Sequence, residues 1–170
     1  MDATINNFHS EQRAWVGVFS ADISEYPGGK DKVVALAGEK ITFAPKAINS
    51  GKTPALEVQS AYYILSKTPG EDPCKAVSTV VPHGSTNYSN EIVLPGMTVY
   101  LERATFPPQG DFTSIDIDDI TKSKKIIYVT GIITYKDVFS NKPHFSKFCL
   151  MLSPSLRGFE YCNTCNEVDP

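Results

Sequence analysis

A chain of 170 residues suits one domain, able to hide roughly 70% of the surface its unfolded form exposes, so neither a metal nor a disulfide is needed merely to fold it. Apolar residues make up 41% and charged residues 21%, and a net charge of −3 has the wrong sign for holding a polyanion, which argues against nucleic acid as a partner. No stretch approaches the ~20 apolar residues of a membrane-spanning helix, and Met1 to Asn7 lacks the basic start and apolar run of a signal peptide, so the chain is expected to be soluble as it stands.

Residues 1–12 read as a polar leader or linker, and residues 13–170 as a single domain. Arg13 to Asp22 mixes aromatic and β-branched residues and runs towards the turn-forming Tyr26-Pro27-Gly28-Gly29, which predicts a first strand. Lys40 to Ile48 alternates but contains Pro45, a pattern that fits an edge strand or a bulge. After the turn signal Asn49-Ser50-Gly51-Lys52-Thr53-Pro54, Ala55 to Leu65 resumes the alternation with Leu56 and Val58 on one face, and Tyr62 and Tyr63 on opposite faces. From Ser66 to about Asn90, Pro69, Pro73 and Pro82 with intervening glycines and serines predict a long surface excursion.

Glu91 to Leu94 offers a short strand, broken by Pro95-Gly96 from another beginning at Met97. Phe112 to Thr121 carries a capping threonine or serine and early acidic residues, which predict a helix of one or two turns. Lys125 to Asp137 is the strongest strand, expected mid-sheet, with Gly131 marking a bulge or a close approach. His144 to Leu152 follows as its hairpin partner with Phe148, Leu150 and Leu152 on one face, and Gly158 to Cys162 adds a last short strand. About seven short strands and at most one short helix predict an all-β fold, a two-sheet antiparallel β-sandwich of immunoglobulin-like kind.

Three segments carry a family resemblance. Asn49-Ser50-Gly51-Lys52-Thr53-Pro54-Ala55 resembles the N-x-G-x-T-P-A segment of many bacterial extracytoplasmic domains. Gly131-Ile132-Ile133-Thr134-Tyr135-Lys136-Asp137-Val138-Phe139, then His144 and Phe148-Cys149, is similar to their G-x-I-x-Y-x-D-x-F…H…F-C pattern, and Gly158-Phe159-Glu160-Tyr161-Cys162-Asn163…Asn166-Glu167 to their close. These are uncharacterised membrane-anchored proteins in which one or two N-terminal transmembrane helices precede a small β-rich domain. The resemblance implies a domain on the periplasmic or extracellular face of a bacterial membrane, held there by an N-terminal anchor that this chain lacks, and it implies no activity.

Four cysteines invite chemistry. Cys149 and Cys162 lie on successive predicted strands with a turn between them, within reach of the Cα separation of about 4.4–6.8 Å that a disulfide requires. The alternative is two reduced cysteines buried as small apolar residues, and the extracytoplasmic resemblance favours the disulfide. Cys74 could bridge to Cys165 and tie the long excursion to the tail. Cys162-Asn163-Thr164-Cys165 spells C-x-x-C, but it lacks the following helix that lowers a thiol pKa, and a zinc site would need a second ligand pair. Asp116, Asp118 and Asp119 resemble part of a calcium loop, yet no glycine stands at its sixth position and Ile127 stands at its twelfth; acidic residues favouring a helix start explain them better. His144, Asp137 and Ser146 contain the residue types of a nucleophilic triad without a G-x-S-x-G context, and Tyr135 and Asp137 are expected to stabilise the following turn.

No catalytic residue, metal ligand or cofactor is therefore assigned. The functional reading is a non-catalytic extracytoplasmic binding or interaction module whose long excursion, with His83, Asn87 and Tyr88, meets a protein or glycan partner. The alternatives are a metal-binding or thiol-dependent sensor or enzyme using the C-terminal cysteines, and a structural spacer.

Overall fold

The structure, a computed structural model, describes residues 11–22, 37–75, 91–139 and 142–169. Among them run β1 (Val16–Asp22), β2 (Ile41–Asn49), β3 (Ala55–Lys67), β4 (Glu91–Val93), β5 (Thr98–Tyr100), β6 (Ala104–Phe106), α1 (Ser114–Thr121), β7 (Ile126–Lys136), β8 (His144–Leu152), β9 (Phe159–Tyr161) and β10 (Glu167–Val168). All pairing is antiparallel, in two sheets. The smaller follows the order β1-β2-β5 with β6 also on β2, and the larger β10-β8-β7-β3-β4 with β9 also on β8. The fold is an all-β sandwich of two antiparallel sheets. Its described strands number ten rather than about seven; β6 and β10, which no sequence signal marks, hold only three and two residues, too few to show alternation.

The central pair is β7 and β8, in continuous register from Tyr128 opposite Met151 to Tyr135 opposite His144. β7 also pairs with β3, where Gly131 faces Tyr62. No bulge occurs there; the glycine answers a close approach. A Cβ on Gly131 would stand 2.5 Å from the Ala61 carbonyl oxygen and 2.9 Å from the Phe148 ring, so the two neighbouring aromatic side chains occupy the space a side chain would need.

Two sequence expectations are corrected. β2 is not an edge strand, since it pairs with β1 on one side and with β5 and β6 on the other. Pro45 is tolerated because its missing N–H falls where β5, ending opposite Lys46, gives way to β6, beginning opposite Phe43. In β3, a bulge at Glu57, whose φ of 50° is left-handed, resets the alternation. Ala55 and Val58 enter the core in place of the pair Leu56 and Val58.

Alternation divides the larger sheet's side chains between two clusters. Ile127, Val129, Ile133, Tyr135, Phe148, Leu150 and Leu152 face the smaller sheet, meeting Val16, Val18, Ile41, Phe43 and Ala47. On the other face Tyr128 and Cys149 gather with Cys162 and Cys165, flanked by Leu65, Cys74, Ile126 and Met151. α1 closes one side by its buried Ile120. Thr113 caps it: its side chain accepts from the Asp116 N–H at 3.1 Å, and the Asp116 carboxylate accepts from the Thr113 N–H at 2.9 Å.

Candidate functional site

Two regions hold polar chemistry in unlike ways: a buried clasp at one end of the sandwich and an open cavity between the sheets. The clasp is built by the segments that carry the motifs. Asn49, fully buried at the end of β2, uses its whole amide: Oδ1 accepts from the N–H groups of Trp15 (3.1 Å) and Gly51 (3.0 Å), and Nδ2 donates to the carbonyls of Thr53 (2.8 Å) and Val93 (2.9 Å). One side chain thus joins β1, the β2–β3 turn and β4. Gly51 lies against the Arg13 to Trp15 backbone, where a Cβ would stand 2.6 Å from the Trp15 nitrogen.

Beside it, Arg13, Asp137, His144 and Asp169 form a buried charged cluster, each no more than 7% exposed. His144 Nδ1 lies 2.7 Å from Asp169 Oδ2, and Nε2 lies 2.9 Å from Asp137 Oδ2. Both ring nitrogens thus lie within hydrogen-bonding distance of a carboxylate oxygen. Arg13 donates to the Asp169 carbonyl at 2.6 Å, stands 3.9 Å from its carboxylate, and lies 3.7 Å above the Trp15 ring. Asp137 Oδ1 also accepts from the Phe139 N–H at 2.8 Å, the turn-stabilising role expected of it. Tyr135 instead reaches the far sheet, donating to the Ala14 carbonyl at 3.3 Å, and burial raises its pKa. Hydrogen bonds among these side chains and to the backbone offset the cost of burying them.

This geometry answers the triad reading. His144 does meet Asp137, but Asp169 occupies its second nitrogen, leaving none to take a proton from a nucleophile. Ser146 Oγ is buried without a hydrogen-bond partner. The cysteines are all paired: Cys149 with Cys162 and Cys74 with Cys165, at Cα separations of 5.4 and 5.5 Å. Neither half of the C-x-x-C sequence is free, and none of the four offers a thiolate to a substrate or a metal. Asp72 lies near Cys74 and Cys165, but the two sulfurs are bonded to each other and its carboxylate accepts from the Cys74 N–H at 2.8 Å. The Asn166 amide completes the tail, accepting from the Cys149 N–H at 3.0 Å and donating to the Cys162 carbonyl at 2.8 Å.

Two of the three acidic residues of α1, Asp116 and Asp118, are occupied too. Lys125 donates to Asp116 at 2.6 Å, and that bond with those from Thr113 brings the Asp116 carboxyl down to about 2. Asp118 pairs with Lys122 at 2.8 Å.

The open region is a cavity of about 430 Å³ between Val58 to Ile64 of β3 and the stretch Val99 to Phe106. It exists because β4 pairs with β3 only as far as Val58, and among the described residues no strand continues along that edge of β3. Across the gap, Leu101 to Arg103 join β5 to β6, and the Leu101 N–H donates to the Pro45 carbonyl at 2.9 Å. The Tyr62 hydroxyl spans the gap and donates to the Glu102 carbonyl; burial first, then the nearby Glu102 charge, push its pKa upward, so it stays a donor. Tyr63 and Tyr100, 48% and 60% exposed, stand in the lining, and Lys46 lies 5.1 Å from the Tyr100 ring. Exposed Ile92 on β4, and Leu94 and Met97 on the β4–β5 connection, follow.

The sequence-based candidates His83, Asn87 and Tyr88 lie outside the described residues. Arg13, Asp169 and the cavity lining were not singled out by sequence. No helix among the described residues is long and apolar enough to cross a membrane. Comparison with protein-family models, curated proteins and solved structures finds no match. Two disulfides fit an oxidising compartment outside the cytoplasm.

Proposed function

We propose that the chain is a non-catalytic extracytoplasmic binding module, tethered to a bacterial membrane on its periplasmic or outer face, that takes an extended segment of a partner protein into the cavity beside β3. The observation that carries this reading is the cavity itself. Its volume falls in the range of ligand sites, it is flanked by two exposed tyrosines, and it lies along a strand edge with no described partner. Such an edge offers backbone donors and acceptors to an incoming strand, while adjacent pockets take alternate side chains.

Strand order supports an immunoglobulin-like version of the sandwich. Lettered along the chain, β1, β2 and β5 stand as A, B and E, and β8, β7, β3 and β4 as G, F, C and C′. The place of strand D, beside E, has no strand among the described residues, and the cavity opens there. The membrane tether rests on the motif resemblance, and the two disulfides support the exterior location.

The test is selection of peptides from a displayed random library against the isolated protein, with amide-shift mapping of the winners. Extended apolar or aromatic peptides that shift Gln59 to Ile64 and lose binding to Ser60→Phe, which fills the cavity, are the expected result. Binders that ignore Ser60→Phe would refute the site, and a glycan array giving ligands that map to the same residues would replace the peptide by a sugar.

A further inference from the structure

We propose that the turn Leu94-Pro95-Gly96-Met97, between β4 and β5, is a lipid-contact tip: Ile92, Leu94 and Met97 enter the interfacial layer of a phospholipid bilayer while the sandwich stays in water.

The tip gathers apolar surface that the rest of the molecule spreads out. Ile92, Leu94 and Met97 are 57%, 53% and 44% exposed within six positions, and Tyr100 follows shortly after. Elsewhere among the described residues the exposed large apolar side chains, Phe19, Tyr63, Ile115, Val138, Tyr161 and Val168, stand singly. The turn itself follows from local sequence. Pro95 fixes its own φ, Gly96 takes the left-handed φ of 74° that suits a type II turn, and the Met97 N–H closes it by donating to the Leu94 carbonyl at 2.9 Å. That geometry needs only Pro95 and Gly96. Leucine and methionine beside them, where a water-facing turn is ordinarily polar, add nothing to the turn.

Two features favour lipid as the occupant. The first is the backbone, which leaves no N–H from Pro95 to Met97 in need of water: Pro95 has none, Gly96 donates to the Asn49 carbonyl at 2.8 Å, and Met97 donates to Leu94. The Met97 and Val93 carbonyls accept in turn from the Asn49 N–H at 3.2 Å and from Asn49 Nδ2 at 2.9 Å. A tip so bonded enters a poorly hydrated layer without stranding a donor. Asn49 is fully buried, so it also holds the tip in place before any contact, and insertion has little left to order.

The second feature is area. Three half-exposed side chains on a protruding turn offer on the order of 300 Å² of apolar surface, well short of the ~1,000 Å² that a specific protein interface clears. A bilayer is fluid and needs no complementary shape, so each side chain gains from burial by itself. Lipid contact at this turn is separate from peptide binding at the cavity, and it needs no N-terminal anchor to be observed.

The test floats the chain with vesicles of phosphatidylcholine, alone or mixed with phosphatidylglycerol, and maps amide broadening by spin-labelled lipid. Binding to both compositions, little changed by salt, with the strongest broadening from Ile92 to Met97, is the expected result. Leu94→Ser combined with Met97→Ser should lower the partition coefficient about tenfold, and Leu94→Trp should raise it several-fold with a blue-shifted emission. Both positions are exposed, so the variants should unfold as the parent does. Absence of vesicle binding, binding that needs phosphatidylglycerol and is lost in salt, or broadening centred away from the turn would overturn the tip. Self-association through Leu94 and Met97 without vesicle binding would overturn it in favour of a second copy of the chain.

Discussion

The clasp and the cavity lie in the same sandwich, yet they treat polar groups in opposite ways. At the clasp, Asn49 makes four hydrogen bonds inside the protein and His144 engages two carboxylates, all out of water. Along the cavity, the β3 edge beyond Val58 has no strand partner among the described residues and lies beside exposed tyrosines. The motif residues fall on the clasp side. Asn49, Gly51, Tyr135, Asp137 and His144 join the chain to itself and point to no ligand.

That contrast can be broken by mutation, because substitutions on the structural side should cost stability and those along the cavity should not. The largest effect is expected for removal of the Cys74–Cys165 bridge, which joins residues 91 positions apart; the double alanine variant should lose about 4 kcal/mol in denaturant unfolding. Asn49→Ala strands four backbone partners at once and should lose about 3 kcal/mol by the same measurement.

Gly131→Ala forces a methyl group against the Ala61 carbonyl and the Phe148 ring, and about 2 kcal/mol should be lost. Asp116 gives a smaller, pH-dependent effect. Its folded pKa of about 2 lies below the ordinary 3.8, so its contribution is full above about pH 4 and fades as pH falls towards 2. Asp116→Asn should therefore cost about 1 kcal/mol at neutral pH, shrinking in acid, as thermal unfolding across that range would show. Tyr100→Ser should change stability by no more than about 0.5 kcal/mol, since the ring is mostly exposed, yet it should weaken binding of any peptide held in the cavity.

The parts of this fold that were legible in sequence are those whose signal is local. β7 and β8 show long β-branched and aromatic runs, and α1 shows its cap, so strand and helix positions follow from neighbouring residues alone. The cysteine pairings were open to reasoning because few partners exist. Pro45 misled because its meaning depends on where β5 ends and β6 begins, two strands of three residues each. The clasp was hidden for a similar reason. Arg13 meets His144 across 131 positions and Asp169 across 156, and nothing near either residue in sequence distinguishes it from a surface charge. The cavity is a gap left where pairing stops, so no residue pattern announces it.

Hydrogen–deuterium exchange of the protein with and without a library-selected peptide tests the division of labour most directly. Slower exchange confined to Gln59 to Ile64 and Val99 to Ala104, with Asn49, His144 and their neighbours unchanged, is the expected result. Protection that instead gathers at the clasp, leaving the cavity strands as they were, would contradict it.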